Sequence, residues 1–462
     1  MIGKTAFGLL LAASCLVPLT ARAQGQGPTR CNVTSDRFTS DSTPGGRVLF
    51  AAGNVFIRCP ARGITLRGDS AERYPDRDFV IGHVVYDEPR LHLTSDFLNH
   101  FPNDERVLAI GNVNAKLPSG STMVGPLAEY KRASPRLQRP RNQLFARSRP
   151  TITIVEKDSA GKTVPPTTVV AENVFMDGDS LIYAGGRVVI TRPEITATAD
   201  SVYLNQGKET MQLIKNPELK GKKERPYTLV GDLIDLFSSN KKLQRVISRG
   251  HAIAMSDSMT LKSDTIDLRV KNDLLDHAYA WGLSRATVES PSQNLLADSL
   301  DVVMPGQRIR VVRAVRKAFA EGRPDSTRFI VAKKETDWLR GDTIIAHFDS
   351  TAVKDTSKKS PDVKNLLASG NASSFYHLAP SDSAERRPAI NYVTARVINI
   401  DLNKSRVATV TTVDSVSGIY IEPKADSSAV RANASASGAP GAPPTTNRPM
   451  PSSIIPLPPK RP

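Results

Sequence analysis

The sequence predicts an all-β, elongated, repetitive fold of about ten strand-bend-strand units, each roughly 30 residues long. Three observations carry that prediction. A Gly-x-Val signature recurs at a fixed spacing. A small-acidic pair recurs between those glycines. The apolar alternation changes phase at each such pair.

The first 23 residues read as a secretory leader. Lys4 supplies a basic start, Ala6 to Leu19 carries no charge, and Ala21-Arg22-Ala23 is a cleavage site. The apolar run of 14 residues is short for a bilayer span of about 20. A second reading takes Ala12-Ala13-Ser14-Cys15 as a loose lipobox with a lipidated Cys15. Both readings export the chain to the periplasm, either soluble or associated with the outer membrane. No later segment is long and apolar enough to span a membrane as a helix.

Export bears on the cysteines. After the leader only Cys31 and Cys59 remain. An even pair in an oxidising compartment suits a disulfide that ties the leading segment to the first repeat. Two free, buried thiols are the alternative. Neither cysteine has a metal-type neighbour spacing.

The repeat begins at Gly53-Asn54-Val55 and returns 29 residues apart at Gly82-His83-Val84 and Gly111-Asn112-Val113. Gly186-Arg187-Val188, Gly250-His251-Ala252 and Gly370-Asn371-Ala372 are later versions. Between them lies a second pattern: apolar, any, small, acidic, any, apolar, any, apolar. Leu229 to Leu236, around Gly231-Asp232, shows it clearly. The acids are Asp69, Asp96, Glu172, Asp200, Asp232, Asp264, Asp298 and Asp342. Gly125-Pro126 and Ala395-Arg396 hold the same place without an acid.

Within each copy the apolar residues alternate with period two, as one face of a strand requires. Ser263 and Ile266 are three apart, so the phase flips between them. A three-residue step bends the chain and turns the next apolar residues inward again. The small residue lets backbones approach. The acid can accept bonds from amides freed by the bend. Glycine at the other corner allows positive φ.

Lys131 to Pro150 departs from the pattern, with seven Lys and Arg and no acid. Thr151 to Val155 alternates as a strand, and Asp158 to Lys162 is a hairpin turn before Thr167 to Ala171. Residues 133–168 therefore read as an insertion, a basic loop and then a hairpin; the loop is either solvated or contacts an anion or a partner. Arrays of repeats are expected over 24–132 and 169–423. Val311 to Ala320 mixes helical spacing with β-branched residues, which favour a strand. Lys354 to Asp362 is a polar insertion. Residues 424–462 are rich in Ala, Ser, Gly and Pro and cannot bury a core.

Removing Lys4 and Arg22 with the leader leaves +14 of the chain's +16 net charge. In an exported protein that excess points away from nucleic acid and toward an anionic envelope partner such as lipid phosphates, or simply toward solubility. No catalytic, metal or cofactor constellation is visible. The seven histidines are scattered. A file of carboxylates can serve a carbohydrate-cleaving enzyme. Here Asp69, Asp96, Asp200, Asp232, Asp264, Asp298 and Asp342 recur at one corner, which suits a structural bend.

The apolar positions after each acid are Leu98, Val174, Val202, Leu204, Ile234, Leu236, Ile266, Leu268, Leu300, Val302, Ile344, Ile398 and Ile400. They would line one inner face from end to end. If the fold closes they are core. If it stays open they form a trough suited to acyl chains.

The stretch Ile64-Thr65-Leu66-Arg67-Gly68-Asp69-Ser70-Ala71, followed by Gly82-His83-Val84, resembles the organic-solvent-tolerance (OstA) and LptA-like family. Leu93-Thr94-Ser95-Asp96-Phe97-Leu98, followed by Gly111-Asn112-Val113, repeats the match. The likeness is clearest over 45–132 and looser over 169–421. It implies an open β-jellyroll, or β-taco. It also implies a non-enzymatic periplasmic bridge that carries lipopolysaccharide, or a related acylated lipid, toward the outer membrane. The inward positions above would then contact lipid, and edge strands would pair with other lipid-transport proteins or end to end with further copies. Two departures stand out. The array is more than twice the length of a simple bridge protein, and no C-terminal membrane-barrel pattern follows it. A structural envelope scaffold or adhesin with a closed core is the alternative.

Overall fold

The alternating segments form strands throughout. The computed structural model describes residues 31–222, 226–256, 259–291, 293–324, 330–331, 335–349, 363–379, 386–403 and 406–423. The expected leader with Cys15, the expected 354–362 insertion and the expected 424–462 tail lie outside them.

The described residues form 28 antiparallel strands and four short 3-10 turns. Each long strand bends once near its middle. At six places the bend interrupts the strand, so the 28 strands make 22 bent rungs. Each rung pairs with the next along both of its arms. In Ile64–Arg73, the arm before Gly68-Asp69 pairs with Val85 to Asp87, and the arm after it pairs with Asp78 to Ile81. The first arm belongs to what we call the first sheet, the second arm to the second sheet.

The two sheets fold over each other and join along one line of corners. On the opposite side hairpins reverse the chain, and no strand pairing bridges the two sheets there among the described residues. The result is an elongated, repetitive jellyroll with one seam. At about 4.8 Å per rung it is about 100 Å long. A single apolar core runs inside it from Ala51 to Ile400.

Two kinds of corner alternate. One is the small-acidic pair. The other holds two successive residues at positive φ, as in Gly82 (75°) and His83 (46°). Both sit side by side on the line of corners, and the carboxylate of one reaches the other. Asp69 accepts from His83 Nδ1 at 2.8 Å, and Asp96 accepts from Asn112 Nδ2 at 2.9 Å. A Cβ on Gly82 would stand 2.2 Å from Asp69 Oδ2. Glycine is therefore required twice there, for its φ and for the carboxylate lying over its α-carbon.

The structure adds an eleventh corner of this kind and a ninth acid, Ser35-Asp36, where Asn54 Nδ2 donates to Asp36 at 2.9 Å. Its flanking strands Asn32–Thr34 and Arg37–Thr43 are polar and mostly exposed, so they lack the apolar alternation. At the last corner the charges are exchanged: Arg396 pairs with Asp414 at 3.6 Å.

The expected insertion at 133–168 is narrower than the sequence suggested. Gln143–Arg147 and Thr151–Ile154 are the two arms of an ordinary rung, and Thr167–Val170 opens the next. Only the basic loop before Gln143 and the hairpin around Asp158 project from the array. The broken periodicity at Ser148-Arg149-Pro150, where Ser148 and Arg149 both take positive φ, hid that rung. Val311–Gly322 is a strand, as its β-branched residues favoured.

Candidate functional site

The thirteen residues expected on the inner face all fall on the second sheet. Twelve are buried: Leu98, Val174, Val202, Ile234, Leu236, Ile266, Leu268, Leu300, Val302, Ile344, Ile398 and Ile400. Leu204 is half-buried at the seam, packed against the core. Sequence reasoning passed over the matching row on the first sheet, including Leu66, Leu93 and Leu229. The signal was present, because these are the apolar residues two places before each small one.

The sheets pack directly on each other. Ile234 and Ile266 are 0% exposed. Two cavities open at the seam. One of about 10 Å³ lies among Tyr227, Leu243 and Leu275, and one of about 30 Å³ lies among Ile154, Leu204 and Leu236. They have room for about one or two waters, against the roughly 300–1,000 Å³ of a typical ligand pocket.

In the N-terminal half, charged side chains tie the two rims together. Arg62 on the first-sheet rim meets Glu105 on the second at 3.3 Å, and Arg132 reaches back to Glu88 at 3.0 Å. Arg90 pairs with Asp179, and Lys241 meets Glu156 at 3.0 Å. Arg73 Nη1 donates to the Cys31 carbonyl at 2.9 Å. The Cys31–Cys59 disulfide, with a Cα–Cα distance of 4.2 Å, fastens the leading segment to the first-sheet rim.

The first rungs also bury polar groups. Asp78 (1% exposed) and His100 (2%) point into the interior, joined at 3.2 Å. Burial pushes the Asp78 carboxyl up, but bonds from His100 and Arg73 outweigh it and hold it below the usual carboxylate range. The Glu88 carboxylate, 2% exposed, accepts from both the Tyr86 and Tyr130 hydroxyls. Burial, reinforced by that carboxylate, raises both phenols well above their ordinary value. A paired network of this kind stays put, because removing one member leaves the others unsatisfied in a low dielectric.

The C-terminal half differs. Met304, Ile309, Phe348, Leu366 and Leu402 are partly buried against the core. The array then ends on an edge whose last strand, Ser417–Ile421, is exposed throughout. Ile419 and Ile421 are 59% and 54% exposed.

The acids Asp69, Asp96, Asp200, Asp232, Asp264, Asp298 and Asp342 lie at the corners, away from the interior. Each faces the neighbouring corner, as Asp232 does to His251 Nδ1 at 3.0 Å and Asp264 to the Ser284 amide at 2.8 Å. Asp264 titrates below its ordinary value because that amide bonds it. Among the described residues no group of three or more His, Cys, Asp or Glu is placed to hold a metal ion. Comparison with protein-family models gives no match, and comparison with curated protein sequences gives none either.

Proposed function

We propose that the chain is a non-enzymatic lipid-binding bridge of the bacterial envelope, carrying acyl chains between its two sheets. The observation that supports this reading is the uninterrupted apolar interior, which extends from Ala51 to Ile400 without a polar partition beyond the first rungs. The lipid is lipopolysaccharide or a related acylated molecule, and the compartment is the periplasm. Both come from the family resemblance.

The packed interior describes an empty bridge under this reading. A chain would enter by parting the sheets at the seam, with the line of corners as the hinge. The ion pairs across the N-terminal rims resist parting there. Each exposed pair contributes only about 0.2–1 kcal/mol, but several act together with the buried Glu88 network. The C-terminal half, with its apolar seam, opens first.

Burial of Ile234 and Ile266 favours a second reading, a closed structural scaffold. One experiment separates the two. A photocrosslinking residue at Ile234 or Ile266 captures acylated lipid in cells if the bridge reading holds, while one at the outward, exposed Lys262 does not. Equal capture at all three, or capture only at Lys262, rejects it. Asp235 is a poor outward control because Arg249 and Gln212 cover it.

A further inference from the structure

The outer faces of the two sheets differ in chemistry. Beside the N-terminal half of the array the first sheet presents mostly threonines and charges, such as Thr151, Thr153, Thr196 and Thr198, with Val124 exposed among them. Its own outward rings, Phe319, Trp338, Phe375 and Tyr392, cluster near the C-terminal end. The second presents an apolar strip that steps sideways by two residues at Leu127, where Arg147 lies opposite and the next ring, Phe145, is diagonal. Ile81 lies opposite Phe97, Phe97 opposite Ile110, and Ile110 opposite Leu127. The strip continues through four rings. Centroids are 4.3 Å apart for Phe145 and Phe175, 5.8 Å for Phe175 and Tyr183, and 4.9 Å for Tyr183 and Tyr203. It ends at Ile214, which is 38% exposed. From Ile81 to Ile214 it crosses nine rungs, about 40 Å.

A shallow groove of about 740 Å³ runs along the rings from Phe145 to Ile214. Cations border it. Lys131 Nζ sits 5.0 Å from the Phe145 centroid. Arg141 pairs with Asp177 at 3.5 Å, and Arg149 and Arg187 share Glu172. Arg147 lines the groove, is exposed, and has no ion pair or side-chain hydrogen bond among the described residues. With Glu129 beside Lys131, five cations stand against three acids. A contiguous apolar strip of this extent on a soluble face marks a contact surface.

Chemistry selects the occupant. The rings stack on each other with interplanar angles of 22° to 34°, so their faces are already used and only edges point outward. That is the wrong presentation for stacking on a sugar. A second copy would bring the same excess of positive charge, on a chain of net charge +16. An anionic lipid surface meets both features: Phe, Tyr and Ile settle at the headgroup boundary, and Arg finds phosphates.

We propose that this strip is a docking face for an anionic lipid surface, with Tyr183 and Ile214 at the apolar boundary and Arg147 and Arg187 on lipid phosphates. It is separate from the interior and does not require lipid between the sheets. The test is flotation of the full chain with phosphatidylcholine vesicles, with and without phosphatidylglycerol. The anionic vesicles bind the protein, the neutral ones bind it weakly, and binding falls as salt rises. Arg147→Glu weakens binding roughly tenfold, because each cation near such a surface contributes on that scale. Tyr183→Ser weakens it as well, and Lys262→Glu on the other sheet leaves it unchanged. Arg147 is exposed, so its variant keeps the wild-type melting temperature. Tyr183→Ser loses two cross-strand ring contacts and lowers it slightly, so flotation is run well below the melting point of both. Equal binding to both vesicle types overturns the proposal, as does insensitivity to both substitutions. Binding to soluble polyglutamate without binding to vesicles assigns the face to an acidic protein and overturns it too.

Discussion

At the scale of single residues the fold rests on its corners. Every second corner, apart from the one at Gly282, turns the chain with two residues in the left-handed region, and in most of these a carboxylate from the adjacent rung ties it down. Gly250 has φ 73°, and a Cβ there would stand 2.2 Å from Asp232 Oδ2. Gly250→Ala is expected to destabilise the neighbouring rungs by about 1–3 kcal/mol. Adding Asp232→Ala removes the obstruction, so the double variant should lose less than the two single losses combined. Hydrogen exchange of the amides flanking the corner is the proper measurement, since a long repeat array does not unfold in one step. Strict additivity would show that the carboxylate does not crowd the glycine. Most corners were legible because glycine and acid are scarce, chemically distinct letters. Ser35-Asp36 was not, because its arms are polar. Nor could the sequence show where the missing acid of Ala395-Arg396 had gone. Asp414 supplies it from the facing corner.

At the scale of the rung, period-two alternation and the three-residue step were enough to find the arms and their inward faces. They found the strand at Thr151–Ile154 but failed at Gln143–Arg147, where a dense run of arginines masked a short apolar pair, so the two were not joined into one rung. The rim contacts were also hidden, since Arg90 and Asp179 are 89 residues apart and nothing local links them. The buried Asp78 is a consequence of the same long-range packing. Its carboxyl is held below the usual range in the folded state. It therefore stabilises the fold above the unfolded value of about 3.9 and loses that contribution as pH falls through its folded value. Asp78→Asn should be less stable at neutral pH and show a shallower loss as pH falls below about 4. Melting temperature as a function of pH decides it. A variant curve parallel to wild type would mean that the Asp78 carboxyl titrates alike in the folded and unfolded chain.

At the scale of the whole molecule the two ends are unlike. The first rung is polar and held by the Cys31–Cys59 bond. Among the described residues the last rung leaves Ser417–Ile421 exposed, with Ile419 and Ile421 uncovered on an edge that no described strand pairs. Such an edge is a template for another strand. The chain is expected to associate through this end, with weight-average mass rising with concentration in sedimentation equilibrium. Ile419→Lys should return it to monomer without lowering its melting temperature. A monomer at every concentration for wild type would leave this edge without a partner among its own copies. The elongated repeat was legible from the spacing of its glycines. The closure of the sheets was not, because the same apolar rows serve a packed core and an open trough equally well. The alternation of corners has a further consequence. Any two consecutive rungs return the chain to the same sheet, the same direction and the same corner type. Duplicating or deleting such a pair in frame changes reach by about 10 Å and keeps the pattern of strand pairing, while side-chain contacts change at the junction and where rim ion pairs span it. The length of this protein is thus a quantity that mutation can adjust in uniform steps, like the marks on a ruler, with no need to redesign its fold.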